Sequence, residues 1–128
     1  MAKRARQTAL LPTEYLTTCA VADALTHGAA PRWMWTHFPA GELRAKGTGG
    51  RLKAMGLQRG WPDFLLVDPV GGLHCLELKR GRAALKSEQA RFKQACRDRG
   101  VPWALARSVE EAVAILSGWG ALRMRVSA

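Results

Sequence analysis

Residues Gly60 to Lys79 read GWPDFLLVDPVGGLHCLELK, and this stretch decides the fold. Its two apolar runs flank the segment DPVGG at residues 68–72, in which the proline fixes its own φ and the glycines accept positive φ. The pattern therefore predicts an antiparallel hairpin. A turn centred on Val70 places three pairs of residues opposite one another: Val67 with Leu73, Leu65 with Cys75, and Asp63 with Glu77.

The far end of this hairpin carries charges that a purely hydrophobic ribbon does not need. Side chains alternate along a strand, so Asp63, Glu77 and Lys79 are expected on one face. Two adjacent carboxylates repel each other unless a cation lies between them, and Mg²⁺ prefers carboxylate, water and phosphate oxygens. The pattern predicts a Mg²⁺ site that Mn²⁺ could also fill, beside a phosphodiester. The alternative is an ordinary surface Glu-Leu-Lys with an aspartate that caps a turn.

The composition is that of a globular protein with a polyanionic partner. The chain has 128 residues, 48% of them hydrophobic, which suits one domain with a core rather than a disordered chain. No apolar stretch is long enough to span a membrane, and we find no secretory signal. Three dispersed cysteines predict a cytoplasmic protein, associated with the nucleoid if it is bacterial or phage-encoded. The net charge of +10, with arginine outnumbering lysine, favours nucleic acid as the partner.

The order of elements predicts an α/β domain with a small mixed β-sheet flanked by helices. In chain order we expect a helix over 14–27 capped by Thr13, a strand over 33–38, a short helix over 51–55, the hairpin, a helix over 87–99, a strand over 101–106 and a helix over 109–117. The crossover after Glu77 makes its strand parallel to the strand over 101–106. We expect a basic arm at 1–11, one domain at 12–118, and a tail at 119–128 suited to an edge strand or an oligomer contact.

Local signals predict two helix starts and one buried helix face. Ser87 is the expected N-cap of one helix, and Ser108 with Glu111 forms a capping box at the start of the last one. Within the helix from Ser87, the periodicity turns Gln89 inward with the apolar face. A buried stripe is expected on the first helix, formed by Tyr15, Leu16, Cys19, Ala22 and either Leu25 or Thr26.

Glycines alternate with cationic residues between Pro39 and Gly60. Such a loop can lay backbone amides and positive side chains along a phosphate backbone; a flexible solvated loop is the alternative. A second basic turn follows Lys79. The residues predicted to bind nucleic acid are His37, Arg44, Lys46, Arg51, Lys53, Arg59, Arg80 and Arg82. Zinc is not expected, because the chain has no Cys-x-x-Cys or His-x₃-His pair.

These motifs together resemble the PD-(D/E)XK nuclease superfamily, and within it the VRR-NUC (virus-type replication-repair nuclease) branch. The resemblance covers about residues 33–116. Its motifs are His37-Phe38-Pro39-Ala40-Gly41, Arg51-Leu52-Lys53-Ala54-Met55-Gly56, Gly60-Trp61-Pro62-Asp63, Glu77-Leu78-Lys79, Ser87-Glu88-Gln89 and Ser108-Val109-Glu110-Glu111-Ala112. The chain departs from the branch where Ser87 directly precedes Glu88, since an intervening residue, often proline, is usual there.

The resemblance implies a restriction-endonuclease-like core and a Mg²⁺-dependent DNA endonuclease. Asp63 and Glu77 would be metal ligands, Lys79 would position the attacking water or stabilise developing charge, and Gln89 would line the site. A glutamate from the first helix often joins the ligands, and Glu14 is the residue available for that role. The resemblance to stand-alone members of the branch also implies a small homodimer that acts on branched DNA such as four-way junctions, in replication, repair or recombination.

Two other functions compete with the nuclease. The first is a non-catalytic nucleic-acid-binding module on the same fold, whose sign would be an incomplete carboxylate set. Asp63, Glu77 and Lys79 are all present, which favours the enzyme. The second is a basic structural or interaction protein in which the carboxylates are incidental.

Overall fold

The computed structural model describes residues 12–39 and 48–123, which contain eight helices and strands. They follow the predicted order, with boundaries that differ by a few residues. The elements are α1 (Pro12–Gly28), β1 (Met34–His37), α2 (Thr48–Ala54), β2 (Phe64–Val67), β3 (Leu73–Leu78), α3 (Ser87–Arg99), β4 (Trp103–Ala106) and α4 (Val109–Gly118).

The four strands form one mixed sheet in the order β1-β2-β3-β4. β2 pairs antiparallel with both of its neighbours, whereas β3 and β4 are parallel. The parallel pair is joined through α3, which is the βαβ unit that the sequence predicts. The α/β class and the mixed sheet flanked by helices are therefore confirmed.

The register of the β2–β3 hairpin is also confirmed, with Val67 opposite Leu73 and Leu65 opposite Cys75. The side chain of Asp68 holds the turn, because its Oδ1 accepts hydrogen bonds from the N–H groups of Val70 at 2.9 Å and Gly72 at 2.8 Å. The turn thus fixes which face each strand residue occupies, since a slip of one position would reverse them all.

The main hydrophobic core lies on one face of the sheet, against α1 and α4. Its largest side chains are those of Leu25, Phe64, Leu66, Leu76 and Leu116. Strand alternation turns the neighbours of Leu76, namely Cys75 and Glu77, to the other face. There Cys75 lies beside Cys96 of α3, and burial raises the pKa of the Cys75 thiol to about 12. Both thiols are buried and free, as expected of core cysteines.

The start of α4 follows the prediction in part and the start of α3 does not. Ser108 Oγ accepts a hydrogen bond from the Glu111 N–H at 3.1 Å, as a cap should. The reciprocal bond of the predicted capping box is displaced by one residue, because the Glu111 carboxylate accepts from the Arg107 N–H at 2.7 Å. At α3 the N-cap is Lys86 rather than Ser87, because the Gln89 side chain accepts a hydrogen bond from the Lys86 N–H at 2.9 Å. The helix therefore begins around a side chain that also reaches the candidate site.

The predicted buried stripe on α1 was wrong at its first two positions. Tyr15 and Leu16 are 67% and 61% exposed, and Val21 and Leu25 form the buried part of the helix. Apolar and small residues lie around most of this helix, so sequence spacing alone does not select one face.

The folded unit extends beyond the predicted boundary at residue 118. Ala121 is fully buried in the core, and Leu122 forms an isolated antiparallel bridge with Ala29 at the end of α1. Residues 119–123 are the described part of the predicted tail, and the bridge lies within them; residues 124–128 and the arm at 1–11 lie outside the described residues. Among the helices that the structure describes, none is long and apolar enough to cross a membrane.

Candidate metal-dependent active site

Asp63 lies immediately before β2, at the open end of the hairpin. Pro62 before it is buried, and the Phe38 N–H donates a 2.7 Å hydrogen bond to the Asp63 main-chain oxygen, which continues the β1–β2 pairing. One carboxylate oxygen, Oδ2, accepts a hydrogen bond from the N–H of Leu78 at 2.7 Å. The Asp63 carboxylate is thus tied to β3 beside Glu77.

Glu77 is a carboxylate held in a nearly dry position. Its residue is only 4% exposed, and its Oε1 receives one long hydrogen bond of 3.4 Å, from Gln89 Nε2. The other oxygen, Oε2, is buried without a hydrogen-bond partner. Burial raises the pKa of Glu77 to about 9. The negative charge of Asp63 and the hydrogen bond that a protonated Glu77 can donate to the Asp63 carboxylate act in the same direction, whereas the positive charge of Lys79 opposes them.

Gln89 connects this carboxylate to the start of α3. Its Oε1 accepts from the Lys86 N–H, so its amide nitrogen is the group that faces Glu77. A side chain that is hydrogen-bonded through both its oxygen and its nitrogen has little freedom to rotate. Gln89 therefore acts on Glu77 as a positioning residue. The inward direction predicted for Gln89 agrees with this placement.

Cationic side chains follow the ends of β3 and β4. The Lys79 N–H donates to the main-chain oxygen of Ala106 at 3.0 Å, which extends the parallel pairing and brings Arg107 next to the site. Arg107 Nη1 donates to the main-chain oxygens of Gly81 at 2.9 Å and Ala83 at 2.8 Å. Arg107 thereby holds the basic turn that carries Arg80 against this edge of the sheet.

One cavity of about 440 Å³ collects most of the predicted site residues. Its volume lies in the range of small-molecule sites. Among its walls are seven of the residues proposed from the sequence: Glu14, Arg59, Asp63, Glu77, Lys79, Arg80 and Gln89.

Four other predicted residues that the structure describes do not border this cavity. Lys53 borders a second, adjoining cavity, whereas Arg51 and Arg82 are exposed and border neither. His37 is exposed on β1, with its ring 5.5 Å from that of Phe64. Arg44 and Lys46 lie outside the described residues.

Several residues of the cavity were missed by sequence reasoning. Arg107 could have been found, since the carboxyl ends of parallel strands meet at the same sheet edge. No sequence pattern of that kind places Trp61, Lys86 and Glu88 at the cavity. Their position follows from the close approach of the Gly60 turn to α3: Gly60 has φ 89°, and a Cβ there would lie 2.5 Å from the main-chain oxygen of Glu88.

The carboxylates fit a hard divalent cation. Glu77 offers a buried oxygen that no donor faces, and Asp63 offers a second carboxylate from the residue directly before the adjacent strand. Mg²⁺ is commonly held by one or two carboxylates, with waters and phosphate oxygens completing its shell. Within residues 12–39 and 48–123 no group of three His, Cys, Asp or Glu side chains is placed to hold a metal, so Glu14 borders the cavity without completing such a set.

Comparisons with protein-family models, with curated proteins and with solved structures found no match to this chain. The chemistry of the cavity therefore has to be inferred from the side chains that form it.

Proposed function

We propose that the chain is a Mg²⁺-dependent DNA endonuclease with a restriction-endonuclease-like core of the VRR-NUC type. The single observation that carries the proposal is the buried Glu77 carboxylate, unpartnered at Oε2, beside Asp63 in a cavity bordered by Lys79. A carboxylate whose only purpose were structural would be expected to have its oxygens satisfied.

Asp63 and Glu77 are the residues that would hold the cation. When bound, Mg²⁺ supplies Lewis-acid activation of water and neutralisation of the phosphate charge. The protein supplies the rest. Gln89 fixes the orientation of Glu77, Asp63 is fixed by the Leu78 N–H, and the ammonium of Lys79 stabilises negative charge that develops near the carboxylates.

DNA as the substrate is supported by the distribution of charge. Arg59, Lys79, Arg80, Lys86 and Arg107 all border the cavity. Cations around a carboxylate pair suit a phosphodiester, which needs a metal ion at one point and charge neutralisation along the flanking backbone. Their contacts would be with phosphates and would carry affinity without sequence preference.

We further propose branched DNA as the preferred substrate and a homodimer as the working form. One such cavity cuts one strand, so a two-fold dimer would suit paired incisions at a junction. Small-angle scattering gives the mass directly: twice the monomer mass supports the dimer, and the monomer mass contradicts it.

The test is cleavage of plasmid and four-way-junction DNA in Mg²⁺ or in EDTA. Asp63→Asn is compared with Asp23→Asn, a matched change at an exposed carboxylate of α1 outside both cavities. We expect metal-dependent cutting by the wild type and Asp23→Asn and none by Asp63→Asn. Binding without cutting would contradict the enzyme and indicate a binding module, and neither activity would indicate a structural protein.

A further inference from the structure

A second cavity of about 580 Å³ adjoins the candidate active site. It lies between α2, the turn over 57–61 and α3. The two cavities share Arg59, Trp61 and Glu88 as walls. A DNA strand whose phosphate lies at the cation site proposed for Asp63 and Glu77 could therefore continue directly into the second cavity.

The floor of the second cavity is aromatic. Trp61 is half-buried, and its ring lies 4.7 Å from that of Phe92 at an interplanar angle of 53°. The ring of Phe38 also lies near Trp61, with 5.6 Å between the ring centroids. The rings brace one another, so Trp61 presents a fixed apolar surface to the cavity. Fixed aromatic surfaces of this kind stack nucleic-acid bases.

The rim of the second cavity is cationic. Lys53, Arg59 and Arg91 border it and are exposed, against the single carboxylate of Glu88. In the part of the chain that the structure describes, none of these three cations forms a salt bridge. An aromatic floor with free cations around it matches a nucleotide, whose base is apolar on its faces and whose phosphates are anionic.

We propose that this cavity receives the base of one unpaired nucleotide next to the phosphodiester that is cut. Trp61 stacks on the base, and Lys53 and Arg91 contact the flanking phosphates. A paired base is stacked between its neighbours and has no free face, so only an unpaired one can enter. The inference rests on the proposed nuclease function and gives it a source of structure selectivity, because branched DNA with a flap or another single-stranded arm supplies unpaired nucleotides and an intact duplex does not.

The first test compares Arg91→Glu with Arg97→Glu. Both arginines are exposed on α3 and the charge change is the same, but Arg97 borders neither cavity. Fluorescence anisotropy with a labelled flap DNA in EDTA measures binding without cleavage. We expect Arg91→Glu to weaken binding about tenfold more than Arg97→Glu does. Equal weakening would overturn the base-binding cavity and leave the nuclease standing, whereas absence of DNA binding by the wild type would remove both.

The second test locates the base. A single abasic position is moved along the unpaired arm of the flap, and binding is measured for each DNA. We expect the wild type to lose about tenfold in affinity at one position near the branch, which is the effect of losing one stacked base. Trp61→Phe should keep this position dependence and Trp61→Leu should lose it. A flat profile in the wild type would overturn the proposal without any variant being needed.

Discussion

At the turn end of the β2–β3 hairpin the carboxylate of Asp68 accepts hydrogen bonds at both oxygens, whereas at the open end Oε2 of Glu77 is buried and no donor faces it. Asp68 Oδ1 accepts from the N–H groups of Val70 and Gly72, and Oδ2 accepts from His74 Nε2 at 3.0 Å. These hydrogen bonds, from Gly72 first and then His74, lower the pKa of Asp68. At Glu77, burial and Asp63 raise the pKa to about 9.

The difference separates a carboxylate that builds the fold from one that is available for binding. Both acids lie on the same ribbon, and both have a polar neighbour on it. Asp68 is stabilised in its charged form by the donors around it. Glu77 is destabilised in its charged form, and a bound cation would remove that penalty. A buried carboxylate oxygen that lacks a hydrogen-bond donor, rather than the mere presence of a carboxylate, therefore marks the candidate site.

The largest expected effect is on cleavage. Glu77→Ala should reduce the rate of DNA cutting by at least about 100-fold, because the carboxylate that would hold the cation is gone. DNA binding should stay near that of the wild type, since the arginines carry the affinity. The comparison variant is Asp68→Ala, which we expect to keep cutting at a temperature where it is folded. Full activity in Glu77→Ala would break the distinction between the two ends of the hairpin.

The second effect is on the free energy of unfolding without metal. Because the pKa of Glu77 is raised from 4.5 to about 9, its contribution to stability is fully present below pH 4.5 and is lost as the pH rises toward 9. Glu77→Gln removes this loss and should stabilise the metal-free protein at neutral pH by up to about 3 kcal/mol. Denaturant unfolding as a function of pH measures it.

Added Mg²⁺ should narrow the difference in stability between the wild type and Glu77→Gln. It should raise the unfolding midpoint of the wild type and leave that of Glu77→Gln unchanged, because only the wild type has both proposed ligands. Equal Mg²⁺ responses would show that the ion binds elsewhere.

The third effect is on the contribution of Asp68, at the turn end of the hairpin, to the stability of the protein. Asp68→Asn should lower the thermal midpoint, since it weakens the hydrogen bonds that close the turn and the contact with His74. The pKa of Asp68 is lowered, so its contribution is present above the ordinary pKa of 3.8 and is lost as the pH falls through the folded-state value. The wild type should therefore lose part of its stability in acid, and Asp68→Asn should lose less. Parallel acid profiles would contradict this.

The smallest effect concerns Gln89, which links α3 to Glu77. Gln89→Ala should slow cleavage a few-fold and reduce stability by about 1 kcal/mol through loss of the bond to the Lys86 N–H. Gln94→Ala is the matched control, since Gln94 lies exposed on the same helix, where its amide donates to Asp98 Oδ1 and borders neither cavity. Equal rates in the two variants would remove Gln89 from the site.

The sequence predicted the hairpin and the charge cluster because both depend on short-range rules. Turn residues at 68–72 set the register, and strand alternation then placed Asp63 and Glu77 together. The exposed Tyr15 and the cap at Lys86 were not predicted, because both are decided by neighbours distant in sequence or by a side chain with two competing partners. Arg107 lies 28 residues after Lys79 in the sequence, about the length of one βαβ unit. It reaches the cavity because Lys79 pairs with Ala106 in the neighbouring parallel strand.

The most direct measurement is a crystal structure of the wild-type protein soaked in Mn²⁺, with anomalous scattering used to locate the ion. We predict one anomalous peak within bonding distance of the carboxylates of Asp63 and Glu77, and none beside Asp68. A peak elsewhere, or no peak at a Mn²⁺ concentration that supports DNA cutting, would contradict the account.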